Sequence, residues 1–158
     1  MPDLLVKLYE LPDDRLLVAG LADAGIIIRR AMAYEKFQVV DWVRVHFGTG
    51  WAGECDVAFA NTPISCFIAT ADGSVAGFAC HDSTMKNFFG PIGVAEDFRH
   101  RGIGTALLLR CLHSMAAAGY AYGVIGGAGN VDFYARTVNA VEIPGSSPGV
   151  YRDKLQSW

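Results

Sequence analysis

The stretch Phe98–Thr105, FRHRGIGT, decides how the rest of this sequence is interpreted. It places Arg99, His100 and Arg101 beside two glycines and then continues into the apolar run ALLL. A strand, a short loop and a helix that begins at Gly102 would leave unpaired backbone N–H groups and the positive end of the helix dipole at one point. Such a point binds phosphate, and glycine lets a phosphate approach the backbone closely. The stretch therefore predicts a phosphate-binding loop.

Three phosphate-binding motifs compete for this loop. A Walker P-loop needs Gly-Lys followed by Ser or Thr, a triplet that the sequence does not contain. A dinucleotide fingerprint needs a third glycine where Leu107 stands and an acid about 20 residues further on, but 121–129 contains no acid. The third motif, R-x-x-G-x-G, matches Arg99, Gly102 and Gly104.

Length and composition predict one domain over residues 1–158. With 52% hydrophobic and 18% charged residues, the chain can bury a substantial core. The net charge of -3 gives no basic face for nucleic acid or an anionic membrane, so a small-molecule or protein partner is favoured. The first residues do not resemble a signal peptide, and charges interrupt every apolar run, so we expect a cytoplasmic protein without a transmembrane helix.

The four cysteines, Cys55, Cys66, Cys80 and Cys111, are scattered along the chain. They form no C-x-x-C pair and have no histidine at ligand spacing, so neither a zinc site nor a disulfide framework is predicted. We expect buried, reduced thiols and no metal.

The remaining pattern predicts an α/β (α+β) fold with a single mixed, mostly antiparallel sheet of six to seven strands flanked by about four helices. Asp72-Gly73 supplies the positive φ angles of a tight hairpin between two of these strands. The candidate strands are LLVKLYEL, GIIIRRAM, PISCFIATA, SVAGFACH, NFFGPIGV, YAYGVIGG, AVEIPG and VYRDKL, and the candidate helices cover 33–47, 51–60, 102–118 and 132–137.

The candidate strand NFFGPIGV, residues 87–94, is unusual. Pro91 cannot donate a hydrogen bond to a neighbour, and Gly90 and Gly93 have no side chain to pack, so this strand should be bulged or parted from a neighbour. The long helix joins it to YAYGVIGG, residues 120–127, and such a crossover connects parallel strands. The sequence therefore predicts a gap between two central parallel strands.

The stretch IGVAEDFRHRGIGTALL, together with the order of elements over residues 25–155, resembles the GNAT superfamily of acyl-CoA N-acyltransferases. The resemblance implies the GNAT fold, with the central parallel pair splayed apart, and acetyl-CoA as the acyl donor. In that family main-chain amides of the motif hold the diphosphate of coenzyme A, and the pantetheine arm lies in the gap. The implied cofactor contacts are Ile92, Gly93, Val94, Arg99, His100, Arg101, Gly102, Ile103, Gly104, Thr105 and Asn130.

Acetyl transfer to an amine poses two proton problems. An alkylammonium with a pKa near ~10.4 must lose a proton before it attacks, and a leaving thiolate with a pKa near ~8.5 benefits from a proton donor. The resemblance implies Tyr134 as this general acid and the amide of Val94 as the donor to the carbonyl oxygen, on which negative charge builds. Asn130 precedes Tyr134 by four positions, a shorter spacing than is usual in the family.

The sequence leaves the identity of the general base open. Members of the family often carry a glutamate on a central strand, but NFFGPIGV and YAYGVIGG contain no carboxylate. His81, beside Asp82 at the end of a candidate strand, is the first candidate because histidine titrates near neutral pH. Glu54 or Asp56 on a predicted helix, or a chain of waters, are the alternatives.

These observations predict an N-acetyltransferase that acts on a primary amine of a small molecule, peptide or protein, with a homodimer as an open option. Between Glu54 and Asp97 the sequence has six acidic residues and one lysine, Lys86, and this balance favours a cationic acceptor. Trp42 and Trp51 either face the acceptor, because aromatic rings attract cations, or fill the core. The alternatives are a non-catalytic GNAT-fold acyl-CoA-binding sensor or regulatory module, and a nucleotide-binding protein of another fold.

Overall fold

The computed structural model describes residues 1–156, which form one seven-stranded sheet with five α-helices packed on it. The strands are β1 (Leu4–Lys7), β2 (Ile26–Arg30), β3 (Cys66–Ala71), β4 (Ser74–His81), β5 (Phe88–Val94), β6 (Tyr122–Ile125) and β7 (Val141–Glu142). The helices are α1 (Arg15–Asp23), α2 (Lys36–Phe47), α3 (Thr49–Ala60), α4 (Ile103–Ala117) and α5 (Val131–Val138).

The strands lie side by side in the order β2-β3-β4-β5-β6-β1-β7. Neighbouring strands are antiparallel except β5 and β6, which are parallel because α4 carries the chain back between them. The predicted mixed sheet with a central parallel pair is therefore confirmed.

Two local predictions about the strands are also confirmed. Asp72 and Gly73 have φ angles of 51° and 75° and form the tight turn between β3 and β4. The pairing of β4 with β5 shifts register between Ala79 and His81, opposite the segment in which Gly90 has a φ of 126°. β5 is therefore a bulged strand.

The structure corrects two assignments near the ends of the chain. Helix α1 was not predicted: Leu17, Val18 and Leu21 pack against the core, but the helix has only nine residues and contains Gly20, which weakens a helix. The candidate strand VYRDKL is not a strand. A short 3-10 turn covers Gly149–Tyr151, and positive φ angles at Gly149 and Asp153 prevent an extended chain.

Two apolar clusters cover the two faces of the sheet. One joins the sheet to α1, α4 and α5, and the other joins it to α2 and α3. β4 illustrates the alternation, since Ala79 contributes to the first cluster and Phe78 and Cys80 to the second. Within residues 1–156, no helix combines the length and the apolar character needed to cross a bilayer.

Candidate active site

The two central strands stay together for only two residue pairs. Phe88 faces Val124 and Phe89 faces Ile125, where β6 ends, whereas β5 continues to Val94. One edge of the second half of β5 therefore has no partner strand. This is the gap that the sequence predicts.

Backbone polar groups of β5 point into this gap. Ala95 donates its N–H to the carbonyl of Ala76 on β4 at 2.8 Å, and hydrogen-bonded and non-bonded pairs alternate along an antiparallel ladder. Ile92 and Val94 therefore direct their N–H and C=O groups away from β4. The carbonyl of Val94 accepts a hydrogen bond from Arg99 Nε at 3.2 Å.

The predicted phosphate-binding loop leads into α4. Gly102, with a φ of 86°, immediately precedes the helix, and the amide of Ala106 makes the first bond of the helix, to the carbonyl of Gly102 at 3.0 Å. The amides of residues 102–105 thus precede the hydrogen-bonded part of α4 and can bind a ligand. Arg99 and Arg101 are exposed beside them.

Gly104 is not required by the packing of the protein. A Cβ atom at this position would lie 3.9 Å from Cγ2 of Val94, an ordinary contact, and the backbone does not adopt a positive φ there. The fold would therefore tolerate a side chain at Gly104, and the exposed backbone at this position is instead suited to a ligand that binds close to it. By contrast, Gly93 is needed structurally, because a Cβ there would collide with the ring of Phe47.

A cavity of about 620 Å³ lies where β5 and β6 separate. It is bounded by α3, β5, the segment after β6, α5 and the C-terminal segment. Its lining includes Trp51, Glu54, Thr84, Phe89, Pro91, Ile92, Gly126, Asn130, Tyr134, Pro148, Tyr151 and Lys154. Of the predicted site residues, the cavity brings together Ile92, Asn130 and Tyr134. Gly93, Val94 and residues 99–105 are outside the lining and follow Ile92 along β5 and into α4.

Tyr134 projects from α5 into this cavity. Its side chain is only 8% exposed, and burial raises its pKa to about 12, so the phenol stays protonated at neutral pH. Its ring forms a T-shaped contact with the ring of Phe89, with 6.3 Å between ring centroids. Asn130 caps the same helix, because its side-chain oxygen accepts the amide of Phe133 at 3.1 Å.

Glu54 is the carboxylate of α3 that lines the cavity. The hydroxyl of Thr84 donates a hydrogen bond to Glu54 Oε1. Tyr151 lies nearby: burial raises its pKa, as do the carboxylates of Asp3 and Glu54. Its hydroxyl occupies the space that a Cβ of Gly126 would fill. No sequence motif points to Thr84 or Tyr151, which reach the cavity from a polar turn and from the C-terminal segment.

The other base candidates are placed elsewhere. His81 is 4% exposed, with Nδ1 2.8 Å from Asp82 Oδ2 and Nε2 3.0 Å from the hydroxyl of Ser114 on α4. Burial lowers its pKa, so its ring is neutral at neutral pH. Asp56 is exposed and pairs with Lys36 at 2.9 Å. Neither residue belongs to the described lining of the cavity, so the geometry favours Glu54.

The two tryptophans that the sequence left open have different positions. Trp42 stacks on His46 with 4.3 Å between ring centroids and packs edge-on against Phe78. Trp51 is 39% exposed and lines the cavity. Only Trp51 is therefore placed where an acceptor molecule could meet its ring.

A mixed sheet with two parallel central strands that separate, a glycine-rich helix start and a cavity between the strands define the class of acyltransferases with the GNAT fold. The model of the acetyltransferase (GNAT) family matches residues 32–138, so this chain belongs to that family. No sequence among the curated proteins matches the chain.

Solved structures share the fold at low sequence identity. The GCN5-related glucosamine N-acetyltransferase region of a fungal multi-domain GH3 β-N-acetylglucosaminidase superposes with a TM-score of 0.72 and 16% identity over 90% of this chain and 19% of that one. A GCN5-related N-acetyltransferase from Sphaerobacter thermophilus gives 0.61 and 17% over 90% of this chain and 48% of that one. A GNAT acetyltransferase from Brucella melitensis in complex with acetyl-CoA gives 0.54 and 18% over 75% and 91%.

Two of these three structures are much longer than the chain. The chain spans about a fifth of the fungal protein and about half of the Sphaerobacter protein. The similarity therefore supports a common fold, and any substrate of this chain has to be inferred from its own cavity.

Proposed function

We propose that this chain is an acetyl-CoA-dependent N-acetyltransferase that acts on a primary amine of a small molecule or a peptide. The observation that carries the proposal is the separation of β5 and β6 beyond Phe89, with the buried phenol of Tyr134 beside the resulting cavity. The Brucella relative, whose structure contains acetyl-CoA, supports the choice of donor.

The residues that are present fit coenzyme A. The free amides of residues 102–105 and the exposed guanidinium groups of Arg99 and Arg101 suit a diphosphate. The backbone groups of Ile92 and Val94 that point into the gap suit the amides of a pantetheine arm. Acetyl-CoA, when bound there, supplies an activated acetyl group and a thiol leaving group.

The chemical step can be written with residues of this chain. The amine nitrogen bonds to the thioester carbon while the carbon–sulfur bond breaks, and the amide of Val94 donates a hydrogen bond to the carbonyl oxygen, where charge develops. The ammonium loses two protons in total, one before attack. The second proton ends on the sulfur of the thiol product, so the products are an amide, a thiol and one proton released to solvent.

The pKa of Tyr134 limits its role in this step. A phenol whose pKa is raised to about 12 is a weaker acid than a thiol of about 8.5, so full proton transfer from Tyr134 to the sulfur is uphill. Its hydroxyl instead stabilises the departing sulfur as a hydrogen-bond donor, and a proton from the amine completes the thiol. Tyr134 therefore starts and ends each turnover protonated.

Glu54 provides the negative charge for the incoming ammonium. It is held by Thr84 at the cavity and is placed to attract the ammonium and to accept its first proton, directly or through water. Trp51, on the same helix one turn earlier, adds an aromatic face that attracts cations. In this arrangement α3 recognises the acceptor, whereas β5 and α4 recognise the donor.

The test combines binding with turnover. Acetyl-CoA at a hundredfold its dissociation constant should add about 2.7 kcal/mol to the free energy of unfolding. Incubation with acetyl-CoA and pools of small amines and peptides should release thiol with at least one pool. Absence of stabilisation contradicts the proposal, as does stronger stabilisation by ATP or NAD. Stabilisation without thiol release from any pool would favour the sensor alternative.

A further inference from the structure

Three of the four cysteines meet in the core, away from the cavity. Cys55 comes from α3, Cys66 from β3 and Cys80 from β4, and each is fully buried. Their sulfur atoms all lie within 4.8 Å of one another, and those of Cys55 and Cys66 are 3.9 Å apart. This thiol cluster, Cys55, Cys66 and Cys80, joins a helix to two neighbouring strands.

The sulfur separations distinguish two uses of such a cluster. A disulfide requires a sulfur–sulfur distance of about 2.05 Å, so Cys55 and Cys66 would have to approach by almost 2 Å. A metal–sulfur bond of about 2.3 Å places the three sulfurs of a trigonal site about 4.0 Å apart. The cluster is already close to the second geometry.

The surroundings of the cluster select among metals. Within residues 1–156, no further histidine, cysteine or carboxylate joins the three sulfurs, and their neighbours are apolar, including Val43 and Phe78. Zinc in proteins takes four ligands, and a water as the fourth would be poorly held in an apolar core. Soft thiolates without nitrogen or oxygen ligands favour Cu(I).

We propose that Cys55, Cys66 and Cys80 form a three-coordinate binding site for Cu(I). Binding exchanges protons for metal: each cysteine that ligates Cu⁺ loses its thiol proton to the solvent, so three-coordinate binding releases three protons and uptake should increase with pH.

Helix α3 offers the route by which a metal reaches the buried site. Gly50 and Gly53 lie within it, and a glycine inside a helix destabilises it by roughly 0.5–1 kcal/mol relative to alanine. Local opening of α3 would expose Cys55. Once bound, the metal would fix α3 to β3 and β4, and with it Glu54, the residue that precedes Cys55.

The experiment measures transfer of Cu(I) to the reduced protein under anaerobic conditions from its complex with bicinchoninate. We expect uptake of one Cu(I) per chain, a near-ultraviolet sulfur-to-copper absorption, and three sulfur neighbours by X-ray absorption spectroscopy. Cys55→Ala, Cys66→Ala and Cys80→Ala should each lose this uptake. Cys111→Ala is the matched control, because Cys111 is equally buried but belongs to the apolar cluster on the other face of the sheet, and it should retain uptake.

Several results would overturn the proposal. These are no transfer from the chelator to the wild-type protein, two sulfur neighbours instead of three, or equal loss in Cys111→Ala. The absorption measurement uses the wild-type protein, so it decides the question even if a core variant fails to fold. The test does not depend on acetyl transfer, so its failure would leave the proposed function intact.

Discussion

Phe89 of β5 and Ile125 of β6 are the last two residues at which the central parallel strands face each other. Beyond this pair the chain turns away at Gly126, while β5 continues to Val94. The ring of Phe89 also forms a T-shaped contact with the ring of Tyr134. The residue pair that ends the strand pairing thus also contacts Tyr134, the proposed hydrogen-bond donor, and Tyr134 lies where the gap opens.

Gly104 is predicted to matter for coenzyme A and not for folding. Gly104→Val should change the free energy of unfolding by at most about 1 kcal/mol, because a Cβ meets only Val94 at 3.9 Å. The same change should abolish stabilisation by acetyl-CoA, since the side chain covers amides at the start of α4. Thermal unfolding with and without acetyl-CoA measures both effects.

The matched control is Gly20→Ala in α1, where a Cβ meets nothing within 4 Å. It should raise stability by roughly 0.5–1 kcal/mol and respond to acetyl-CoA like the wild type. An undiminished response of Gly104→Val to acetyl-CoA would contradict the assignment of the loop.

Tyr134→Phe should lower kcat on the order of 10²-fold and leave acetyl-CoA affinity unchanged. The reason is that only the hydroxyl that stabilises the departing sulfur is removed, while the ring contact with Phe89 is kept. Tyr122→Phe is the control, because Tyr122 is exposed and lies outside the cavity lining, and its rate should stay that of the wild type. Equal rates for both variants would argue against a role for Tyr134.

Glu54→Gln should reduce kcat/KM for the amine by about 10- to 100-fold, the range that corresponds to a hydrogen bond with a charged group worth about 1.5–3 kcal/mol. Stabilisation by acetyl-CoA should not change. Asp56→Asn removes an equal charge from the same helix and breaks only the solvent-exposed pair with Lys36, so it should change kcat/KM little. Similar losses in both variants would indicate a general effect of charge instead of a role at the cavity.

His81 is predicted to make stability depend on pH. Burial lowers its pKa in the folded protein, so as pH falls below about 6.5 the unfolded chain binds a proton first and the free energy of unfolding decreases. His81→Gln lacks this proton uptake, so its difference in stability from the wild type should shrink between pH 7.5 and 5.5. Denaturant unfolding across this range measures the change.

His46→Gln is the control for this experiment, because His46 is exposed on α2. It should keep the pH dependence of the wild type. If His81→Gln and the wild type show parallel curves, His81 is not the group that responds to pH.

The central part of the fold could be predicted because its signals are local. The glycines and arginines of residues 99–104 indicate the start of α4, and Gly90 and Pro91 indicate that β5 is irregular. Helix α1 could not be predicted in the same way, since it is only nine residues long and contains Gly20, and its buried face of Leu17, Val18 and Leu21 becomes evident only from its packing on the core. The prediction of a strand at VYRDKL is wrong because Gly149 and Asp153 have positive φ angles. The composition of this segment resembles that of a strand and does not indicate these angles.

The sequence by itself determined the family, the loop that suits a diphosphate and the strand that parts from its neighbour, because each depends on residues adjacent in the chain. Only the tertiary structure decided which carboxylate faces the cavity. It places Glu54 beside Thr84, 30 positions away, and surrounds His81 with Asp82 and Ser114. Contacts between distant residues depend on how helices pack on the sheet, and the same packing brings three scattered cysteines together.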